Sequence, residues 1–198
     1  LCSIITTVNM PIVSSMGAFT FYSCSSLTSA YIPLVTSTDS QIFRLCTDLV
    51  TVNMPLITSV AYAGFYLCSS LTSVEMPLVS LVETYAFSYC SSLATVDIPL
   101  VTNIQNFAFQ GSGITTVNMT LVTNVGISAF DSCSSLTTAD IQSVVVLGNY
   151  AFKSCPSLLS FNAPNQLSLP PSLTSIGHNA FYQCTGLRGN LFIPSSVT

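Results

Sequence analysis

Apolar positions return along this chain with a period near 22 residues, and within each period they follow two patterns. In the fourth copy Leu71, Val74 and Met76 are apolar, Ser73 and Glu75 stand between them, and Pro77 follows. The last apolar positions alternate with polar ones, which predicts a short strand with one buried face. The opening column reads Ile5, Leu27, Leu49, Leu71, Leu93, Ile114, Leu136, Leu158 and Leu187. Three residues on come Val8, Ala30, Val52, Val74, Val96, Val117, Ala139 and Phe161, and two further on Met10, Ile32, Met54, Met76, Ile98, Met119, Ile141, Ala163 and Ile193. One such strand cannot bury its face alone, so neighbouring copies must stack, with equivalent strands parallel and about 4.8 Å apart. A proline that offers no amide hydrogen (Pro11, Pro33, Pro55, Pro77, Pro99, Pro164, Pro194) ends each ladder.

After the proline, apolar residues stand at Val13, Val35, Ile57, Val79, Val101, Val122 and Val144, then at Val60, Val82, Ile104, Val125, Leu147 and Ile176. This spacing predicts a second extended arm. A single tight helical turn is expected at Ala-Phe-x-x-Cys, because four or five residues cannot build a longer helix. The phenylalanines of that turn form one column: Phe21, Phe43, Phe65, Phe87, Phe109, Phe130, Phe152 and Phe181. Three residues after seven of them comes Cys24, Cys46, Cys68, Cys90, Cys133, Cys155 or Cys184. A period this strict marks a solenoid. Residues 1–198 read as a single array of about nine units, the first and last truncated, with seven extra residues near 165–171.

The phrases Leu173-Thr174-Ser175-Ile176-Gly177, Asn179-Ala180-Phe181-Tyr182-Gln183-Cys184 and Ala86-Phe87-Ser88-Tyr89-Cys90-Ser91-Ser92-Leu93 resemble the BspA-like leucine-rich repeat, in a 22-residue variant. The resemblance covers essentially the whole chain. It implies a leucine-rich repeat solenoid with a parallel β-sheet on one face and short extended arms and single helical or 3₁₀ turns on the other. Departures are local: Ser112 replaces the cysteine where one residue is deleted, Thr120 and Gln142 replace the proline, and Arg188-Gly189-Asn190 carries an extra residue.

Charged residues make up only 5 % of the chain, and the three basic ones (Arg44, Lys153, Arg188) form no patch, which argues against a nucleic-acid partner. No apolar run approaches the roughly 18 residues of a membrane span. No signal peptide is visible, and the ends fall mid-unit without a polar capping repeat. That pattern predicts either a piece of a longer protein or ends that stack on further copies.

The cysteines suggest a disulfide framework or a metal site only at first sight. Positions one repeat apart stack with parallel side chains, which leaves the sulfurs poorly aimed at one another, and no CxxC pair supports zinc. They are expected to be buried free thiols acting as small hydrophobes, with an isolated bridge as the alternative. His178 is expected in an exposed turn with no nucleophile and acid around it. The carboxylates Asp39, Asp48, Glu75, Glu83, Asp97, Asp131 and Asp140 are scattered. Glu75 and Asp97 share a strand phase in adjacent copies, so they either repel, bind a hard cation or are merely solvated. The sequon Asn118-Met119-Thr120 is read as a chance match.

The outward strand face is the expected binding surface. It pairs Thr7 with Asn9, Ser29 with Tyr31, Thr51 with Asn53, Ser73 with Glu75, Thr95 with Asp97, Thr116 with Asn118, Thr138 with Asp140 and Ser160 with Asn162. The acids and Tyr31 break the regularity that an ice-binding face would need. No enzyme activity, cofactor or metal is expected, for want of a convergent acid–base set. The resemblance implies cell-surface or extracellular attachment to proteins of a host, a matrix or a neighbouring cell. The alternative is a structural element that self-associates end to end into a fibre.

Overall fold

The computed structural model describes residues 2–118, 120–161 and 167–198. Met119, Asn162, Ala163, Pro164 and the start of the extra segment, each assigned a place above, lie outside the described residues, as does Leu1.

Two series of short strands alternate along the chain. In order they are β1 (Thr7–Asn9), β2 (Ser15–Met16), β3 (Ser29–Tyr31), β4 (Ser37–Thr38), β5 (Thr51–Asn53), β6 (Ser59–Val60), β7 (Ser73–Glu75) and β8 (Leu81–Val82). They continue with β9 (Thr95–Asp97), β10 (Asn103–Ile104), β11 (Thr116–Asn118), β12 (Asn124–Val125), β13 (Thr138–Asp140), β14 (Val146–Leu147), β15 (Ser160–Phe161) and β16 (Ser175–Ile176). Odd strands pair only with odd and even with even, always in parallel, so each turn of chain adds one rung to each series. The odd series forms three short sheets, β1-β3-β5, β7-β9 and β11-β13-β15. The even series is the predicted second arm, and β6 through β16 form one continuous sheet.

The register is the repeat itself. Val8 stands beside Ala30, Ala30 beside Val52 and Val74 beside Val96. The odd ladder takes one more bond beyond the strand, as from Met10 N–H to the Tyr31 carbonyl at 2.9 Å, before proline ends it. The core follows the same line: the Leu, Phe and Cys columns are buried from Leu27 to Leu158. Phe21, Phe43, Phe65, Phe87, Phe109, Phe130 and Phe152 stack ring on ring at 5.1 to 5.4 Å, with planes 1° to 17° apart. Phe181 continues the stack at 6.0 Å, and the Phe161 ring meets both Phe152 and Phe181 edge-on.

The expected helical turn at Ala-Phe-x-x-Cys is absent. The backbone there is a run of tight turns, with left-handed residues two before and two after each Phe: Gln41 and Leu45 around Phe43, Tyr85 and Tyr89 around Phe87. A helical turn would commit these amides within the unit. Here Gln41, Phe43 and Leu45 donate instead to the next copy, at the carbonyls of Tyr62, Gly64 and Tyr66, each at 2.8 Å. The turns thus make a third ladder along the axis, which outweighs the local cost of left-handed non-glycine residues, about 1–2 kcal/mol each. At Gly111 (φ 65°) the left-handed position has a second constraint, since a Cβ would sit 2.7 Å from the Tyr89 ring. The one-residue deletion is absorbed at Gly113, where a Cβ would sit 2.2 Å from the Ser91 carbonyl oxygen.

Candidate functional site

The odd strands present their first and third residues outward, and the face is less uniform than its pattern. Ser29, Tyr31, Thr51, Asn53, Ser73 and Glu75 come together with Pro55 and Pro77 around a groove of about 430 Å³. It runs across β3, β5 and β7, at the place where β5 and β7 no longer pair in one sheet. Tyr31, 49 % exposed, forms one wall. Asn53 and Glu75 offer an amide and a carboxylate two rungs wide, and neither side chain is committed to a partner within the described residues.

Thr7, Asn9, Thr95, Asp97, Thr116 and Asn118 lie exposed on the same face outside the groove. Glu75 and Asp97 are register partners, as their phase requires. Toward β15 the face closes. Thr138 and Asp140 are half-buried, and the Asp140 carboxylate accepts from Gln142 Nε2 at 3.3 Å. Ser160, expected to face outward, is 2 % exposed, and its hydroxyl donates to Thr138 Oγ1 at 3.5 Å. The expected face therefore ends at Asp140 among the described residues.

The cysteine column departs from its reading in two ways. Cys2 and Cys24 form a disulfide, with Cα atoms 4.4 Å apart, so the isolated bridge is realised at the first rung and corrects the all-thiol expectation. The free thiols are also more than small hydrophobes. Each donates to the carbonyl of the preceding unit's Phe: Cys46 to Phe21, Cys68 to Phe43 and Cys90 to Phe65 at 3.0 Å, Cys133 to Phe109 and Cys155 to Phe130 at 3.1 Å, and Cys184 to Phe152 at 2.9 Å. Burial pushes the Cys46 and Cys133 thiols up to about 12, opposed at Cys133 by a hydrogen bond with Ser112. Burial holds Cys68 and Cys90 up as well, and a hydrogen bond with Cys184 together with burial does so at Cys155. The same hydrogen bond with Cys155 holds the Cys184 thiol below its ordinary value, whereas the other five are protonated structural thiols.

His178 is exposed; its backbone N–H donates to Asn149 Oδ1 at 2.7 Å and its ring meets the edge of Tyr150. Among the described residues no group of three or more His, Cys, Asp and Glu is placed to hold a metal. No helix there is long and apolar enough to cross a membrane.

Strand face, Phe stack and turn ladder together form a signature that can be compared with known proteins. The sequence pattern of the BspA type leucine-rich repeat region matches residues 1–83, 58–168 and 165–198, in six copies. The chain belongs to the BspA-type leucine-rich repeat family. Among solved structures, this BspA-type chain is similar to a leucine-rich repeat protein from Bacteroides ovatus, with 25 % identity and a TM-score of 0.69 over 96 % of the present chain. The match spans 46 % of that protein's own length. A leucine-rich repeat protein of T. pallidum shares the fold at 22 % identity and TM-score 0.62, over 94 % of this chain and 80 % of that one. A leucine-rich cell-surface protein from Faecalibacterium prausnitzii does so at 21 % identity and TM-score 0.57, over 92 % and 78 %. No curated protein matches the sequence.

Two surface features of the BspA-type array went unread in the sequence. The turns carry an aromatic belt in which Arg44 lies against Tyr66 and Tyr22, its guanidinium carbon 5.0 and 5.8 Å from the ring centroids. Tyr62, Tyr66 and Tyr85 pack edge to face beside it around a 240 Å³ pocket. The residues flanking each Phe hold the signal, but with no fixed residue type the period hides it. The second feature is a row of exposed aliphatic residues directly after the prolines, treated below.

Proposed function

We propose that this chain is a non-catalytic recognition segment of a cell-surface or secreted protein, which holds protein partners against its strand face. The observation that carries the proposal is the groove over β3, β5 and β7. There an exposed tyrosine, an amide and a carboxylate stand on successive rungs, the first two on hydrogen-bonded strands and the third across the break in the sheet, each rung with a different chemistry. Solenoids recognise partners with extended surfaces of this kind, and a half-exposed Tyr beside polar neighbours is the residue type that dominates binding energy at protein interfaces. Family membership supports the reading, as does the cell-surface description of the Faecalibacterium prausnitzii protein, carried here as analogy. The residues assigned to binding are Ser29, Tyr31, Thr51, Asn53, Ser73 and Glu75 at the centre. Thr7, Asn9, Thr95, Asp97, Thr116, Asn118, Thr138 and Asp140 extend the face on either side.

The test is binding of the purified chain to a panel of extracellular-matrix and host-cell-surface proteins, measured by biolayer interferometry. Tyr31→Ala and Asp97→Ala should weaken any specific capture and leave end-to-end fibre growth unchanged, with Tyr31→Ala the stronger. Capture that both variants leave intact would sink the assignment of the face. Fibre growth abolished by changes at Ile5 or Ile193 would support the structural alternative.

A further inference from the structure

An aliphatic, exposed residue recurs on six successive rungs: Ile12, Leu34, Leu56, Leu78 and Leu100, each directly after a proline, and Leu121, which follows Thr120 at the same phase. The five leucines are 38 % to 47 % exposed and Ile12 85 %. They stand at the corner where the odd strands turn into the even ones, one repeat apart, so they stack into an unbroken ridge. At the seventh rung the position is Ser143 and the preceding proline is Gln142, so the ridge ends inside the chain. Its flanks carry no charge: five prolines and Thr120 on one side, and Ser14, Thr36, Thr58, Ser80, Thr102 and Thr123 on the other. Single exposed leucines need no explanation, but a continuous apolar strip does.

We propose that this ridge is an interface with a second copy of the same chain, the two solenoids lying side by side and antiparallel. The inference does not rest on the strand-face reading. The size fits a weak, specific pair. Six rungs at about 4.8 Å, by about five residues of extended chain from the Asn53 column to the Thr58 column, cover on the order of 500 Å² per copy. Two copies bury about 1,000 Å², at the lower edge of specific interfaces.

The polar rim selects the orientation. A two-fold axis perpendicular to the strand face pairs Ile12 with Leu121, Leu34 with Leu100 and Leu56 with Leu78. It keeps both strand faces on the same side of the pair and brings their rims together. Glu75 then meets Asn53 of the second copy and Asp97 meets Tyr31, so each acid faces a hydrogen-bond donor that has no partner among the described residues of its own chain. A two-fold axis along the solenoid would instead set the acids against the Ser/Thr column. There Ser80, Thr102 and Thr123 already donate their hydroxyls to the carbonyls of Thr58, Ser80 and Thr102 at 3.4, 3.2 and 3.2 Å, leaving nothing for the acids. The antiparallel arrangement alone satisfies the rim.

Sedimentation velocity over a hundredfold concentration range tests the interface. The expected result is a reversible rise from the 21.0 kDa chain mass to twice that mass. Leu56→Glu with Leu78→Glu should weaken the pair at least about tenfold with an unchanged thermal melt. Leu159→Glu, an exposed leucine off the ridge, should leave it intact. If the double variant fails to fold, Leu34→Gln with Leu100→Gln replaces it. Orientation is read by mild oxidation of an Ile12→Cys chain mixed with a Leu121→Cys chain. A cross-linked heterodimer is expected, with neither chain linking to itself. A chain that stays monomeric throughout, or a dimer indifferent to the ridge variants, overturns the interface. Self-linking by each cysteine variant overturns the antiparallel orientation.

Discussion

The Phe–Cys columns and the strand-face columns are built on the same rungs, yet they obey different rules. Inside, every rung repeats its neighbour: Phe87 lies on Phe65 and under Phe109, and the Cys90 thiol binds the Phe65 carbonyl as Cys68 binds that of Phe43. A substitution there is felt from both sides, so only residues of closely similar size and chemistry suit the position. Outside, Asn9, Tyr31, Asn53, Glu75, Asp97 and Asn118 follow one another in a single column. Register fixes where these side chains stand, but solvent, not a neighbour, receives them, and their chemistry is free to vary. In this molecule uniformity marks stability, and variation marks the surface available for recognition.

The largest break in that comparison is Phe87→Asp. It removes a fully buried ring and leaves a charge inside the stack, so the expected loss exceeds the roughly 3–5 kcal/mol of a Phe-to-Ala change. Because stability passes from neighbour to neighbour, the middle should unzip. A circular-dichroism melt that overlays the wild type would contradict the stacked core.

Alkali attacks the same column more gently. The Cys46 and Cys133 thiols keep their protons up to about 12, whereas in the unfolded chain they lose them near 9. The folded state therefore binds more protons across that window, and stability falls as pH rises through it. Each thiol contributes about 1.4 kcal/mol per pH unit there. Denaturant midpoints should be level from about pH 6 to 8 and drop steadily above about 9; a level profile to pH 11 would show that the thiols are not desolvated in solution.

Cys90→Ser should cost less, about 1 kcal/mol. A hydroxyl can still donate toward Phe65, and Ser112 occupies this phase naturally while staying buried. Cys90→Ala, which removes the donor, should cost more than Cys90→Ser in the same urea titration. The reverse order would mean that the thiol acts only by its volume. The smallest effect on stability belongs to Tyr31→Ala, within about 0.5 kcal/mol of wild type, even though it is expected to have the largest effect on partner capture. A matching loss of stability would make Tyr31 part of the scaffold and erase the contrast between inside and outside.

What could be read from the sequence follows the same division. The Leu, Phe and Cys columns and both strand series were legible because burial against an identical neighbour repeats the residue type along with the position. The left-handed turns were not. Gln41, Leu45, Tyr85 and Tyr89 adopt a conformation that their side chains do not advertise, and only Gly111 and Asn179 give a chemical sign of it. The disulfide escaped because Cys2 and Cys24 look like any other pair in the column until the thiol–carbonyl bonds show which partner each sulfur has. The groove was legible only as a face, since its walls depend on where the odd series breaks between β5 and β7. The aliphatic ridge was overlooked because residues after a proline count as turn in a pattern search, although their own column is as regular as the core's.

The three ladders all run along the solenoid axis, and this sets how the chain answers a mechanical pull. Tension between its ends opens one coil at a time, because only the bonds between the outermost coil and the next carry the load. Each coil that yields frees about 22 residues, or roughly 70 Å of slack, except the first, which the Cys2–Cys24 disulfide keeps closed. A chain built this way is expected to lengthen coil by coil rather than all at once, each released coil free to rewind on the one still in place.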